Sequence, residues 1–444
     1  MTDWLITHAE LVNEGRRRIA DLRVRDGRIV EIGEALQAAE GEREFDASGL
    51  WLLPGMIDDQ VHFREPGLTH KADIESESRA CLAGGITSFM EMPNTKPPAT
   101  DHAALEAKYA RAAVVSRVNY AFYLGATNDN LEAIRTLDPK AAPGIKVFMG
   151  ASTGNMLVDD PATLDAIFRD TPVPIITHCE DTPMILAAEE AARERWGDDI
   201  PAAQHPLIRS REACIKSTRL AISLARRHGT RLHVLHISTA DECELFEPGP
   251  LAGKRITAET CVHFLHFNVA DYERLGHQIK CNPAIKTEAD RAAITRALAE
   301  GRLDVLATDH APHLAEEKAQ PYTRAPSGLP LVQYALQCAL ERVFDGELRL
   351  ERVVEAAMHA PATLFDVRER GFLREGYHAD LVLVDPHTPH AVRRSEVLSK
   401  CGWTPFDGYT FRSTIAATFV NGQLAYRDGT IDDGVRGQRL EFAR

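Results

Sequence analysis

Between residues 55 and 309 the chain alternates short apolar runs with longer amphipathic stretches. Eight strand-like segments fall at 55–62, 86–92, 118–125, 145–150, 173–178, 231–237, 256–260 and 304–309. Helical stretches lie between most of them. Residues 212–227 combine good helix formers with an apolar spacing of about 3.6. Residues 287–299 open on Thr287 ahead of acidic side chains, a helix N-cap pattern. Eight strands alternating with helices predict an α/β fold, a (β/α)8 barrel of the TIM type. A doubly wound open sheet is the alternative.

The two ends of the chain read differently. Short apolar or alternating runs at 4–6, 19–24 and 28–32 flank an Asp26-Gly27 turn. Runs at 379–385, 415–420 and 423–426 flank an Asn421-Gly422 turn. This predicts one small β-sandwich module built from both termini, 1–54 and 366–444, around the barrel at 55–365. At 444 residues the chain is long enough for both.

The formal net charge of −14 excludes a basic nucleic-acid footprint. An acidic protein still binds an anionic small molecule through a few local arginines. The eight cysteines are scattered, with no CxxC pair, as expected of reduced thiols in the cytoplasm. The opening residues lack a basic region followed by an apolar one, and charges interrupt every apolar stretch before membrane-spanning length. Neither a membrane nor a nucleic acid is expected as a partner.

Active sites of this barrel sit at the C-terminal ends of its strands. His62 follows GMIDDQV, Lys146 lies in GIKVFMG, His178 ends VPIITH, His236 ends LHVLH and Asp309 ends DVLATD. Zinc takes imidazole and carboxylate ligands, and a catalytic site keeps one position open for water. A single strand-end histidine is more often a capping or hydrogen-bonding group. Three histidines and an aspartate in one register predict a metal site. Lys146 has two readings: a surface lysine at a strand edge, or a buried lysine that must be paired or neutralised. Carboxylation by CO2, giving a carbamate able to bridge two metals, is one such solution.

Several segments go beyond spacing. LPGMIDDQVHFREPG (53–67), EMPNTKPP (91–98), GIKVFMGAS (144–152), KCNPAIKTEADR (280–291), ATDHAPH (307–313) with EEK (316–318), GYHADLVLVD (376–385) and TPFDG (404–408) together resemble the dihydroorotases of the amidohydrolase superfamily. The resemblance covers nearly the whole chain. It implies one or two Zn2+ ions and a carboxylated Lys146. One metal would lie among His62, Lys146 and Asp309, a second among Lys146, His178 and His236. Arg64, Asn94, Asn282 and His313 would face the substrate, with the backbone of Pro326, Ser327 and Gly328 closing around its ring. It also implies a homo-oligomer, a dimer, and association with aspartate transcarbamoylase.

The implied chemistry is reversible hydrolysis of the cyclic amide of L-dihydroorotate to N-carbamoyl-L-aspartate. Metal-activated water attacks, and Asp309 carries the proton. Arg64 is the natural partner of the substrate carboxylate, because its planar fork matches that group. Strand alternation would place it on the face of His62; a salt bridge to Glu65 is its alternative use. One position departs from the family pattern HxH, which here reads Gln60-Val61-His62. Gln60 shares the strand face of His62, and its amide oxygen is a weaker zinc ligand than imidazole. The first metal is then loosely bound, held by fewer groups, or absent. Two further functions stay open: another cyclic amidase such as a hydantoinase or allantoinase, and an inactive scaffold subunit. The loop 314–327, polar and holding two prolines, reads as an ordered loop with some lid-like mobility.

Overall fold

The structure is a computed structural model that describes residues 2–150 and 156–444. Ala151 and Ser152, which end the GIKVFMGAS motif, lie outside the described residues.

Eight barrel strands follow one another in chain order. They are Met56–Val61, Ile86–Glu91, Asn119–Phe122 with its continuation Leu124–Gly125, Ile145–Phe148, Ile175–His178, Leu232–Val234, Ile256–Cys261 and Val305–Ala307. Their pairings are parallel. The ring closes where Val61 bridges His310 and the His62 amide donates to the His310 carbonyl at 2.7 Å. These strands are covered on both faces, which is why they read as nearly continuous apolar runs. Helices pack outside. Arg211–His228 starts on the Ser210 hydroxyl and stops at Gly229 in the left-handed conformation. Glu288–Ala299 starts on Thr287, whose side chain and that of Asp290 cap each other's backbone amides.

The chain ends build a nine-stranded sheet. Its order runs Thr430–Ile431, Gln423–Arg427, Thr414–Val420, Leu381–Asp385, Trp51–Pro54, Trp4–Asn13, Arg16–Arg25 and Arg28–Gly33, with Arg43–Asp46 paired to Trp4–Asn13. N-terminal and C-terminal strands meet where Trp51–Pro54 pairs antiparallel with Leu381–Asp385. Both expected hairpin turns form with two positive φ values: Asp26 at 50° and Gly27 at 79°, Asn421 at 50° and Gly422 at 74°. The turns touch, since a Cβ at Gly422 would lie 2.6 Å from the Gly27 Cα. This β-sandwich module has its own core, which includes Ile6, Leu22, Val24, Leu383 and the edge-to-face pair Trp4–Phe419, 5.5 Å between centroids. Among the described residues, no helix is long and apolar enough to cross a membrane.

Candidate active site

The first strand ends at Val61, after its pairing register slips between Asp58 and Val61. Asp58 sits at the slip. Its carboxyl accepts from the Thr308 amide at 3.1 Å, the Thr308 hydroxyl at 2.6 Å and the Gln60 amide at 3.3 Å, tying first strand to last. Burial raises its pKa to about 8. Beyond it, His62 Nε2 lies 3.2 Å from Asp309 Oδ1, and His62 Nδ1 lies 2.8 Å from Asn94 Oδ1.

Arg64 arrives by a different route from the one expected. The strand has already stopped, and Arg64 turns back with φ 69°. Its Nε donates to the Pro312 carbonyl at 3.1 Å, and Nη2 lies 2.9 Å from His313 Nε2. Glu65 serves Arg111 instead, at 2.6 Å.

Lys146 is 1% exposed, which removes the surface-lysine reading. Its Nζ lies 4.8 Å from the centre of the Phe148 ring, and burial lowers its pKa to about 8. His178 Nδ1 and His236 Nε2 are 3.0 Å apart. His236 Nδ1 is buried with no hydrogen-bond partner. Burial pulls the pKa of His62, His178 and His236 down, so all three imidazoles are held neutral, the form that ligates metal.

These side chains converge. Gln60, His62, Lys146, His178, His236 and Asp309 share one constricted cavity of about 30 Å³, with Arg64, Asn94, Asn282, Ser327 and Gly328 on its wall. Asn282 Oδ1 is buried there without a partner. Gly328 sits at φ 142°, and a Cβ on it would lie 2.3 Å from the Ala311 carbonyl. Two expected residues stand outside the cavity. His313 lies behind Arg64, and the Pro326 carbonyl faces away, accepting from Lys318 Nζ at 2.9 Å. The donor set of neutral imidazoles, a carboxylate and an unpartnered buried ring nitrogen fits a divalent metal.

Sequence reasoning missed three features. Glu180 is buried 3.0 Å from His178 Nε2 and ion-paired with Arg209. Burial alone would raise its pKa, but Arg209 and His178 hold it at about 2. Two buried lysines pin the loop 322–328. Lys318 Nζ donates to the carbonyls of Lys280, Pro326 and Gly328 at 2.9, 2.9 and 3.0 Å. Lys280 Nζ donates to those of Tyr322 and Ala325 at 2.6 and 2.7 Å. The third is a buried group of Asp59, His233 and Glu259, separate from the side chains lining the cavity. Only the second acidic residue of IDD hinted at it.

A family model described as the amidohydrolase family matches residues 51–425. A dihydroorotase of Halobacterium salinarum is 34% identical over 93% of this chain and 95% of its own. An allantoinase of Bacillus velezensis is 31% identical over 96% of this chain and 94% of its own. Among solved structures, L-hydantoinase (dihydropyrimidinase) from Arthrobacter aurescens superposes with a TM-score of 0.93 at 29% identity, covering 99% of this chain and 100% of that one.

Proposed function

The chain belongs to the amidohydrolase family, and on that footing we propose that it is a dihydroorotase, interconverting L-dihydroorotate and N-carbamoyl-L-aspartate in pyrimidine synthesis. The observation that carries this reading is Arg64 on the same cavity wall as His62, Asn94 and Asp309. A guanidinium there suits a ring that bears a carboxylate, as dihydroorotate does and hydantoin does not.

In this reading His62, Asp309 and Lys146 hold one metal, and Lys146, His178 and His236 a second. Bound zinc would supply Lewis acidity toward the amide carbonyl and acidify water near neutral pH. Lys146, as a carbamate, would contribute a ligand to both metals. Its lowered pKa leaves part of it as free amine near neutral pH, the form that adds to CO2 with release of one proton. Asp309 carries the proton of the attacking water to the leaving ring nitrogen. Gln60, donating to Asp309 Oδ1 at 3.2 Å, steadies that carboxylate. Arg64 and Asn94 orient the substrate carboxylate, with Asn282 and the Ser327–Gly328 backbone along the ring. His313 and Pro326 act through Arg64 and the loop. The eight cysteines are all unpaired and buried, which suits a cytoplasmic enzyme. The family resemblance adds a homodimer able to associate with aspartate transcarbamoylase.

The test is one preparation, with its zinc content measured, assayed on L-dihydroorotate, hydantoin and allantoin. Turnover of dihydroorotate above the other two is expected. Faster turnover of hydantoin or allantoin would make it a different cyclic amidase. Failure on all three with zinc bound would make it a scaffold.

A further inference from the structure

Asp59, His233 and Glu259 are each completely buried, and their ligand atoms lie within 4.8 Å of one another. They come from the first, sixth and seventh barrel strands. Asp59 and His233 therefore meet across the barrel interior rather than along a sheet. His233 Nε2 stands 3.1 Å from Glu259 Oε2 and 3.5 Å from Asp59 Oδ2.

The tautomer of His233 follows from its other nitrogen. Nδ1 is 2.9 Å from the Thr257 hydroxyl, and that hydroxyl donates its single proton to the Leu232 carbonyl at 3.2 Å. The hydroxyl must therefore accept from Nδ1–H. Nε2 then faces both carboxylates. Burial lowers the pKa of the ring, but the two carboxylates outweigh it and raise the pKa to about 9. A positive charge belongs among the three groups, either a proton on Nε2 or a metal ion in its place. The Asp59 carboxylate strengthens the demand, because both its oxygens are buried without a hydrogen-bond partner.

We propose that Asp59, His233 and Glu259 bind a divalent cation of the zinc class inside the barrel, at a site separate from the cavity that holds His62, His178 and His236. Two imidazole–carboxylate separations, 3.1 and 3.5 Å, bracket the edge of a tetrahedral shell, roughly 3.3 Å for bonds of about 2.0–2.1 Å. The Thr257 hydroxyl orients the imidazole from behind, as partners of metal-bound histidine do. The position ties together three strands that do not all adjoin. Glu259 Oε1 also accepts from the His236 amide at 3.3 Å, so the ion would brace the backbone that carries His236.

The proposal does not depend on which cyclic amide is the substrate. The test is metal content per chain after exhaustive dialysis against zinc, for wild type, Asp59→Asn, His233→Gln and His178→Ala. Loss of one equivalent in the first two variants is expected. His178→Ala should lose metal from the other cavity and keep this equivalent. Cobalt-loaded wild-type crystals, read by anomalous scattering, cover variants that fail to fold. A peak between Nε2 of His233 and the two carboxylates supports the site. No peak there with full loading of the other cavity, or unchanged stoichiometry in folded Asp59→Asn and His233→Gln, overturns it. The cation would then be a proton on His233.

Discussion

Gln60 donates from its amide nitrogen to Asp309 Oδ1 at 3.2 Å, and its amide oxygen faces the Cys261 thiol at 3.8 Å. The reverse amide orientation would set two oxygens against each other. Gln60 therefore spends its donor on the Asp309 carboxylate. Its weak ligand atom points to a thiol that burial keeps protonated.

Gln60 is then a holder of Asp309 more than a metal ligand. Gln60→Ala should lower turnover roughly two- to tenfold, the worth of one hydrogen bond, with metal stoichiometry unchanged. Gln60→His should tighten the first metal without speeding turnover. Titration of zinc into apo-protein, beside rates, checks both. Loss of one metal in Gln60→Ala would show the amide oxygen to be a ligand.

Among the described residues lining the cavity Asp309 is the only carboxylate, and the proposed reading gives it the proton transfer between water and ring nitrogen. Asp309→Ala should abolish turnover in both directions while near-UV circular dichroism stays native. Residual activity above about 1% would be too much for a lost general acid–base group.

In the proposed reading Arg64 holds the substrate carboxylate, so its loss should be felt only where that group is present. Arg64→Met should cut efficiency on dihydroorotate about 10- to 100-fold, matching a charge-assisted contact of about 1.5–3 kcal/mol. Dihydrouracil, which lacks the carboxylate, should be little affected. Equal losses on both would make Arg64 a structural brace for Pro312 and His313.

The barrel and the metal-compatible strand ends were legible because buried parallel strands write themselves as apolar runs, and polar residues closing such runs stand out. Lys146 was not decidable, since IKVF does not say which faces are covered. The approach of Arg64 was hidden by a left-handed turn that no local pattern demands of an arginine. The roles of Lys280 and Lys318 were not legible because their partners are backbone carbonyls, which leave no trace in side-chain pattern. His233 and Asp59 meet across the barrel, a distance in sequence that neither period two nor period 3.6 encodes.

Acid should destabilise the protein in a predictable window. His263 is completely buried, and burial lowers its pKa to about 4, below an unfolded value of about 6.5. Between those values the unfolded chain binds a proton that the folded chain refuses, so stability falls as pH drops. The loss at pH 4 is on the order of 3 kcal/mol. Because His266 and other buried histidines are pushed down as well, His263→Gln should lessen, and not abolish, the fall in melting temperature between pH 6.5 and 4 in chelator-treated protein. An unchanged slope would mean that the group protonates in place.

The loop 322–328 should behave as a fixed wall and not as a lid. Lys318 and Lys280 donate five hydrogen bonds of 2.6–3.0 Å, four of them to carbonyls of that loop. The Trp403 indole also donates to the His313 carbonyl at 2.7 Å, just ahead of it. Desolvated ammonium groups bonded to carbonyls release them only at the cost of those bonds, worth about 1.5–3 kcal/mol each. Amide exchange at Ser327 and Gly328 should therefore be slow in the free protein and little changed by a substrate analogue. Lys318→Met keeps the aliphatic stem and removes the donors. It should speed exchange there and raise KM on the order of tenfold, with zinc content unchanged, because the Ser327–Gly328 backbone would no longer be pre-positioned. Fast exchange in the wild type that slows when the analogue binds would show a closing lid instead.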